Sequence, residues 1–131
     1  MLAEIPGVLE TEVGYTGGWT RSPTYEQVCA GATGHAEAVR VDYDPRAVTY
    51  FELLARFWGL HDAGRRRKPQ YRSAVFTSSP LHTTLARALK AELERADGRR
   101  LLTEIVPLAR FYRAEDRHQH YLARRGRAVV A

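Results

Sequence analysis

The chain alternates short stretches with two different hydrophobic periods. Ala36 to Tyr43 repeats every second residue, with Glu37, Val39, Val41 and Tyr43 on one side and Ala38, Arg40 and Asp42 on the other. That period of two marks a strand and places one carboxylate, Glu37, on its apolar face. Val8 to Tyr15 reads as a strand running into Thr16-Gly17-Gly18, and Arg72 to Thr77 and Glu104 to Leu108 read as two more. Between them the period changes to that of a helix. After Thr49-x-x-Glu52, Tyr50, Leu53, Leu54, Phe57 and His61 fall on one side, predicting a helix over Thr49 to Leu60. After Ser79-Pro80, Leu81, Leu85, Leu89 and Leu93 recur every fourth residue, predicting a second helix over Pro80 to Ala96, stopped near Asp97-Gly98. Thr24-x-x-Gln27 opens a short helix through Cys29, and Ala114 to Arg125 forms a polar C-terminal one.

Strands and helices in this alternation make an α/β domain. At 131 residues the chain is expected to be one domain, with residues 124–131 as a basic tail lacking structure. Composition adds little: 44% hydrophobic and 27% charged residues are ordinary for a globular protein. No stretch is apolar enough to cross a membrane, and the N-terminus has no secretory pattern, so a cytoplasmic location is expected. The net charge of +5 raises nucleic acid as a partner, but Arg65-Arg66-Arg67-Lys68 lies between Gly64 and Pro69 without interleaved aromatics. It reads as a solvated loop, and nucleic-acid binding is not expected.

Candidate chemistry is concentrated in few residues. Desolvation on an apolar face disfavours the charged form of Glu37 and makes it a candidate proton donor; pairing with an arginine at the strand end, or exposure at the rim, is the structural alternative. Tyr25 and Tyr71 each sit where a loop meets a regular element, placed to donate to a polarised oxygen or simply to pack. His61-Asp62 and His118-x-His120 lack converging geometry and a third ligand, so no metal is expected. Cys29 is the only cysteine, which excludes an internal disulfide. It lies inside its helix beside Glu26, a setting for a buried thiol rather than a reactive one.

Three segments in sequence, Gly14-Tyr15-Thr16-Gly17-Gly18, Pro23-Thr24-Tyr25-Glu26-Gln27-Val28-Cys29 and Thr33-Gly34-His35-Ala36-Glu37-Ala38-Val39, resemble the A-type peptide methionine sulfoxide reductases. The likeness continues through Phe57-Trp58, His61-Asp62, Gln70-Tyr71-Arg72-Ser73, Phe111-Tyr112, Ala114-Glu115-Asp116 and His118-Gln119. It implies a ferredoxin-like two-layer α/β core and thiol-dependent reduction of methionine-S-sulfoxide, free or in oxidised proteins. Thioredoxin or another thiol would be the reductant, no bound cofactor is implied, and the protein would be a monomer. Glu37 would be the proton donor to the sulfoxide oxygen, with Tyr25 and Tyr71 hydrogen-bonding it.

In that family the attacking cysteine lies in a Gly-Cys-Phe-Trp-Gly motif, which this chain does not contain. Cys29 matches a position where relatives carry a cysteine of no catalytic role. The resemblance thus implies an inactive chain and a fold missing its first strand, which the family's order of elements puts in the middle of the sheet. The loop between Asp62 and Gln70 is also shorter than in the family, where it commonly carries an acidic residue near the substrate. Two readings follow: a reductase without its nucleophilic segment, or a non-catalytic peptide-binding module derived from the reductase fold.

Overall fold

The computed structural model describes residues 1–123 and 127–131, and of residues 120–123 only the backbone. The strands are β1 (Val8–Thr16), β2 (Ala36–Tyr43), β3 (Ala74–Thr77), β4 (Glu104–Pro107), β5 (Phe111–Arg113) and β6 (Ala128–Val130). The helices are α1 (Tyr25–Cys29), α2 (Tyr50–Gly59), α3 (Pro80–Asp97) and α4 (Asp116–Ala123). Short 3-10 turns occupy Leu2–Glu4 and Pro69–Tyr71.

The helix starts follow from their caps. Thr24 Oγ1 accepts from the Gln27 N–H and Gln27 Oε1 accepts from the Thr24 N–H, so α1 begins with two otherwise orphaned donors satisfied. At α2 only the Thr49 half of the expected pair forms, with Thr49 Oγ1 accepting from the Glu52 N–H. Ser79 caps α3, and Gly98, in the left-handed region at φ 67°, ends it. The apolar face of α2 is buried through Tyr50, Leu53, Leu54, Phe57 and Trp58. In α3 the leucine stripe is only partly used: Leu85, Leu89 and Leu93 pack on the core, Ala86 is fully buried, and Leu81 is 63% exposed. A four-residue repeat advances by more than one 3.6-residue turn, so the stripe walks around the helix and Leu81 leaves the core face.

All six strands join one sheet in the order β4-β3-β6-β2-β1-β5. β1 pairs antiparallel with β2 and with β5, whereas β2 with β6, β6 with β3 and β3 with β4 pair parallel. One face, with Val13, Tyr15, Val39 and Val41, packs on α2 and α3. The other carries Ala36, Ala38, Ala74, Phe76, Ala128 and Val130, covered in part by Val106 near one edge of the sheet and Phe111 near the other. Residues from opposite edges meet over the same small-residue patch, so the sheet is curled.

The α/β reading agrees with this architecture, but two expectations need correction. The middle of the sheet is not open, because β6 lies there, with Val129 beside Val39 of β2 and beside Val75 of β3. The C-terminal residues are therefore not a structureless tail. Ala128, Val129 and Val130 are at most 2% exposed, and the Ser78 hydroxyl donates to the Ala131 carbonyl. A three-residue apolar run is too short to announce a strand by periodicity, and its pairing depends on partners far away in sequence. Residues 124–126 of that tail, and the end of the helix expected to reach Arg125, lie outside the described residues. Strand β5 was not anticipated either. Among the described residues no helix is long and apolar enough to cross a membrane.

Candidate functional site

Strand pairing builds the floor of the site. Tyr15 of β1 stands opposite Glu37 of β2 on one side and opposite Tyr112 of β5 on the other. Directly paired residues project from the same face of a sheet, here the face toward the helices. Glu37 is 3% exposed and Tyr15 is fully buried. The apolar-face position inferred for Glu37 from the period of β2 is thus its position in the fold.

The hydroxyl of Tyr15 donates to Glu115 Oε1 at 3.0 Å, and the other carboxylate oxygen accepts from the Tyr25 N–H at 3.1 Å. Burial, then the hydrogen bond to Glu115 and the negative charges of Glu115 and Glu37, push the Tyr15 hydroxyl far above its ordinary pKa, so it remains a donor. Partial burial opposes ionisation of Glu115. The N–H groups of Glu115 itself and Tyr25, the Tyr15 hydroxyl and nearby His118 outweigh that and hold its carboxyl below the usual range. The ring of Tyr25 stacks on His118 at 4.1 Å between centroids.

Tyr71 approaches from the other side. Its hydroxyl lies 3.8 Å from Cys29 Sγ, at the end of α1, and the Gln70 amide donates to the Cys29 carbonyl at 3.2 Å. Cys29 is half-buried, not sequestered. The Tyr25 backbone is thereby linked through Glu115 to Tyr15, which pairs with the buried Glu37, and the Tyr71 hydroxyl lies against Cys29. Such a group can hold and protonate an oxygen. Neither Tyr15 nor Glu115 was singled out from pattern. The signal for both lay in the motifs Gly14-Tyr15-Thr16 and Ala114-Glu115-Asp116, but their contact spans 100 residues and needs the fold.

The segment carrying Tyr71 is anchored by a second polar cluster. Trp58 Nε1–H donates to Thr103 Oγ1 at 2.8 Å, Thr103 lies 2.8 Å from Ser73 Oγ, and Ser73 lies 2.7 Å from His61 Nε2. His61 Nδ1–H donates to the Phe57 carbonyl at 3.1 Å. An indole can only donate and a carbonyl can only accept, so with His61 as the neutral Nδ1–H tautomer every proton in this chain points the same way. Burial lowers the His61 pKa, with Arg127 and Arg67 adding to it and the Phe57 carbonyl and Asp62 opposing. Asp62 itself accepts from the Gly64 N–H and pairs with Arg99. The other histidine pair does not form a ligand set: His118 stacks on Tyr25, and the side chain of His120 lies outside the described residues.

The peptide methionine sulfoxide reductase family model matches residues 1–130. The peptide methionine sulfoxide reductase MsrA of Geobacter sulfurreducens is 50% identical over 131 residues, covering 93% of this chain and 80% of that protein. The MsrA of Klebsiella pneumoniae is 47% identical over 130 residues, covering 91% of this chain but only 62% of that protein. Methionine sulfoxide reductase A of Corynebacterium diphtheriae superposes with a TM-score of 0.82 at 40% identity, over 93% of this chain and 66% of that one. The chain thus spans about three fifths to four fifths of the length of these relatives. With the motifs, the sheet and the family match in agreement, the chain belongs to the peptide methionine sulfoxide reductase family.

Proposed function

We propose that the Glu37 cluster is the oxygen-handling half of a methionine-S-sulfoxide reductase site. The observation that carries this reading is a carboxyl group 97% removed from solvent (Glu37 is 3% exposed) on the same sheet face as the buried Tyr15 hydroxyl. Glu37 delivers a proton to the sulfoxide oxygen, and the hydroxyls of Tyr25 and Tyr71 donate hydrogen bonds to it. Polarising the S–O bond in this way makes the sulfur electrophilic toward a thiolate.

In the complete reaction the thiolate takes the oxygen as a sulfenic acid and methionine leaves as the thioether. Two reducing thiols, those of thioredoxin or a small dithiol, then return the sulfenic acid to thiol, forming a disulfide and water. The substrates are oxidised methionines in proteins and free methionine sulfoxide. Cys29 is not the attacking thiol: it caps no helix N-terminus and stands beside Tyr71, where it would compete for the oxygen's donor. The chain by itself therefore does not turn over.

The test compares this chain with one extended ahead of Leu2 by a strand ending in Gly-Cys-Phe-Trp-Gly and a helix. With dithiothreitol and N-acetylmethionine-S-sulfoxide, the chain alone gives no thioether and the extended protein gives measurable turnover. Glu37→Gln in the extended protein cuts the rate by about 10²–10⁴, the usual contribution of general acid catalysis, with little change in melting temperature. Turnover by the original chain that disappears in Cys29→Ser refutes this assignment, as does undiminished turnover in Glu37→Gln.

A further inference from the structure

Beyond the end of β1, a groove of about 320 Å³ is lined mainly by residues that follow β1 and precede β2 and β5. Tyr112, opposite Tyr15 in the sheet, and His35, two residues before Glu37, form the wall nearest in the sheet to the Tyr15–Glu37 pair, their rings edge to face at 5.6 Å. The groove continues over Trp19, Thr20, Arg21 and Arg110. Trp19 is 74% exposed, an unusual position for an indole. Its ring lies flush on Gly34, where a Cβ would come within 2.1 Å of the ring, and the backbone N–H of Trp19 donates to the Thr33 carbonyl. The platform is therefore fixed in place without being covered.

Charge selects the occupant. No carboxylate lines the groove, Arg21 and Arg110 are both exposed, and neither forms an ion pair among the described residues. The other exposed arginines nearby are already matched, Arg113 to Glu12 and Asp116, and Arg117 to Glu26. Thr20, which lines the groove, has its Oγ1 buried without a hydrogen-bond partner. We propose that this groove binds the residues flanking an oxidised methionine in an extended, acidic polypeptide segment. Carboxylates pair with Arg21 and Arg110, and an apolar side chain lies on Trp19. The inference rests on the oxygen-handling reading of Glu37 and extends it from the sulfoxide to the sequence around it.

Trp58 is buried and Trp19 exposed, so intrinsic fluorescence reports occupancy of the groove. Four probes are titrated into the chain: a methionine sulfoxide peptide with two glutamates on each side, the same peptide with leucine for the sulfoxide, the sulfoxide flanked by lysines, and a hexathymidylate. The glutamate-flanked sulfoxide peptide should bind about tenfold tighter than the lysine-flanked one, the order expected of two partly exposed charge pairs. Arg21→Gln with Arg110→Gln should abolish that difference while leaving the melting temperature unchanged, since both side chains are on the surface. Raising the salt concentration should weaken the glutamate-flanked peptide most. If the leucine peptide binds as tightly as its sulfoxide counterpart, with the same arginine dependence, the groove stands and the sulfoxide reading falls. If sulfoxide peptides bind irrespective of flanking charge and of the two arginines, the sulfoxide reading stands and the groove is overturned. Absence of any change in Trp19 emission, or tighter binding of the hexathymidylate, also overturns the groove.

Discussion

The two halves of the sheet solve the burial of polar groups in opposite ways. In the antiparallel half, β5-β1-β2, the buried groups are ionisable: Glu37 and Tyr15 face each other, and Glu115 is held by N–H and hydroxyl donors. In the parallel half, the groups around β3 are neutral, and each proton of the Trp58–Thr103–Ser73–His61 chain is used once in a fixed direction. A closed neutral chain positions without reacting. An ionisable cluster with donors aimed at it costs more to bury but can move a proton. Tyr71 joins them, two residues before Ser73 and in contact with Cys29. The difference separates a cluster able to move a proton from one that can only hold its neighbours in place.

The largest expected effect comes from uncoupling the halves. Removing residues 128–131 deletes the strand between β2 and β3, and with it Val129 and Val130 from the core. The two valines alone account for about 3–6 kcal/mol, a large part of a typical margin of about 5–15 kcal/mol. Urea denaturation should show a chain that is largely unfolded or melts non-cooperatively; a midpoint unchanged from that of the intact chain would show the halves to be independent.

A smaller loss follows from breaking the neutral chain alone. Thr103→Val keeps the shape but leaves the Trp58 N–H without its acceptor and breaks the link to Ser73, at a cost of about 1–3 kcal/mol. The same substitution should loosen Tyr71, seen as greater solvent accessibility of Cys29 to a thiol reagent. Stability loss without any gain in Cys29 labelling would mean that the chain does not position Tyr71.

The two halves should also separate along the pH axis. Because the folded state lowers the His61 pKa, the unfolded state binds more protons below its ordinary value of about 6.5, and stability falls as pH decreases from there toward the lowered value. Physically, a protonated His61 would need to donate to Ser73 instead of accepting from it, turning the Ser73 hydroxyl away while the Trp58 N–H still donates to Thr103. His61→Gln should flatten this part of the stability profile, and a profile with the same slope in the variant would assign it elsewhere.

The smallest effect belongs to Glu115. Its folded pKa is also lowered, so its contribution is present above about 4.5 and is lost only as pH falls through the depressed folded value. Glu115 is partly exposed, and solvent screening keeps this step smaller than the one at His61. In Glu115→Gln the acid step should shrink while the step near 6.5 persists. Loss of both steps together would show that the two clusters titrate as one.

Local order was open to reading from the chain itself. The period of two in Ala36 to Tyr43 put Glu37 on the buried face before any partner was known, and the caps at Thr24, Thr49 and Ser79 marked where three helices begin. Those features depend on residues within a few positions of one another, and so did the motifs that carried the family. What depends on long-range pairing was decided only by the tertiary structure. Ala128 to Val130 became the middle strand because β2 and β3 leave a slot whose hydrogen-bonding groups must be satisfied, a demand no local pattern at the C-terminus expresses. Tyr15 met Glu115, and His61 met Ser73 and Thr103, for the same reason: each pair joins elements whose approach is set by the sheet and by the burial of α2, not by the residues beside them.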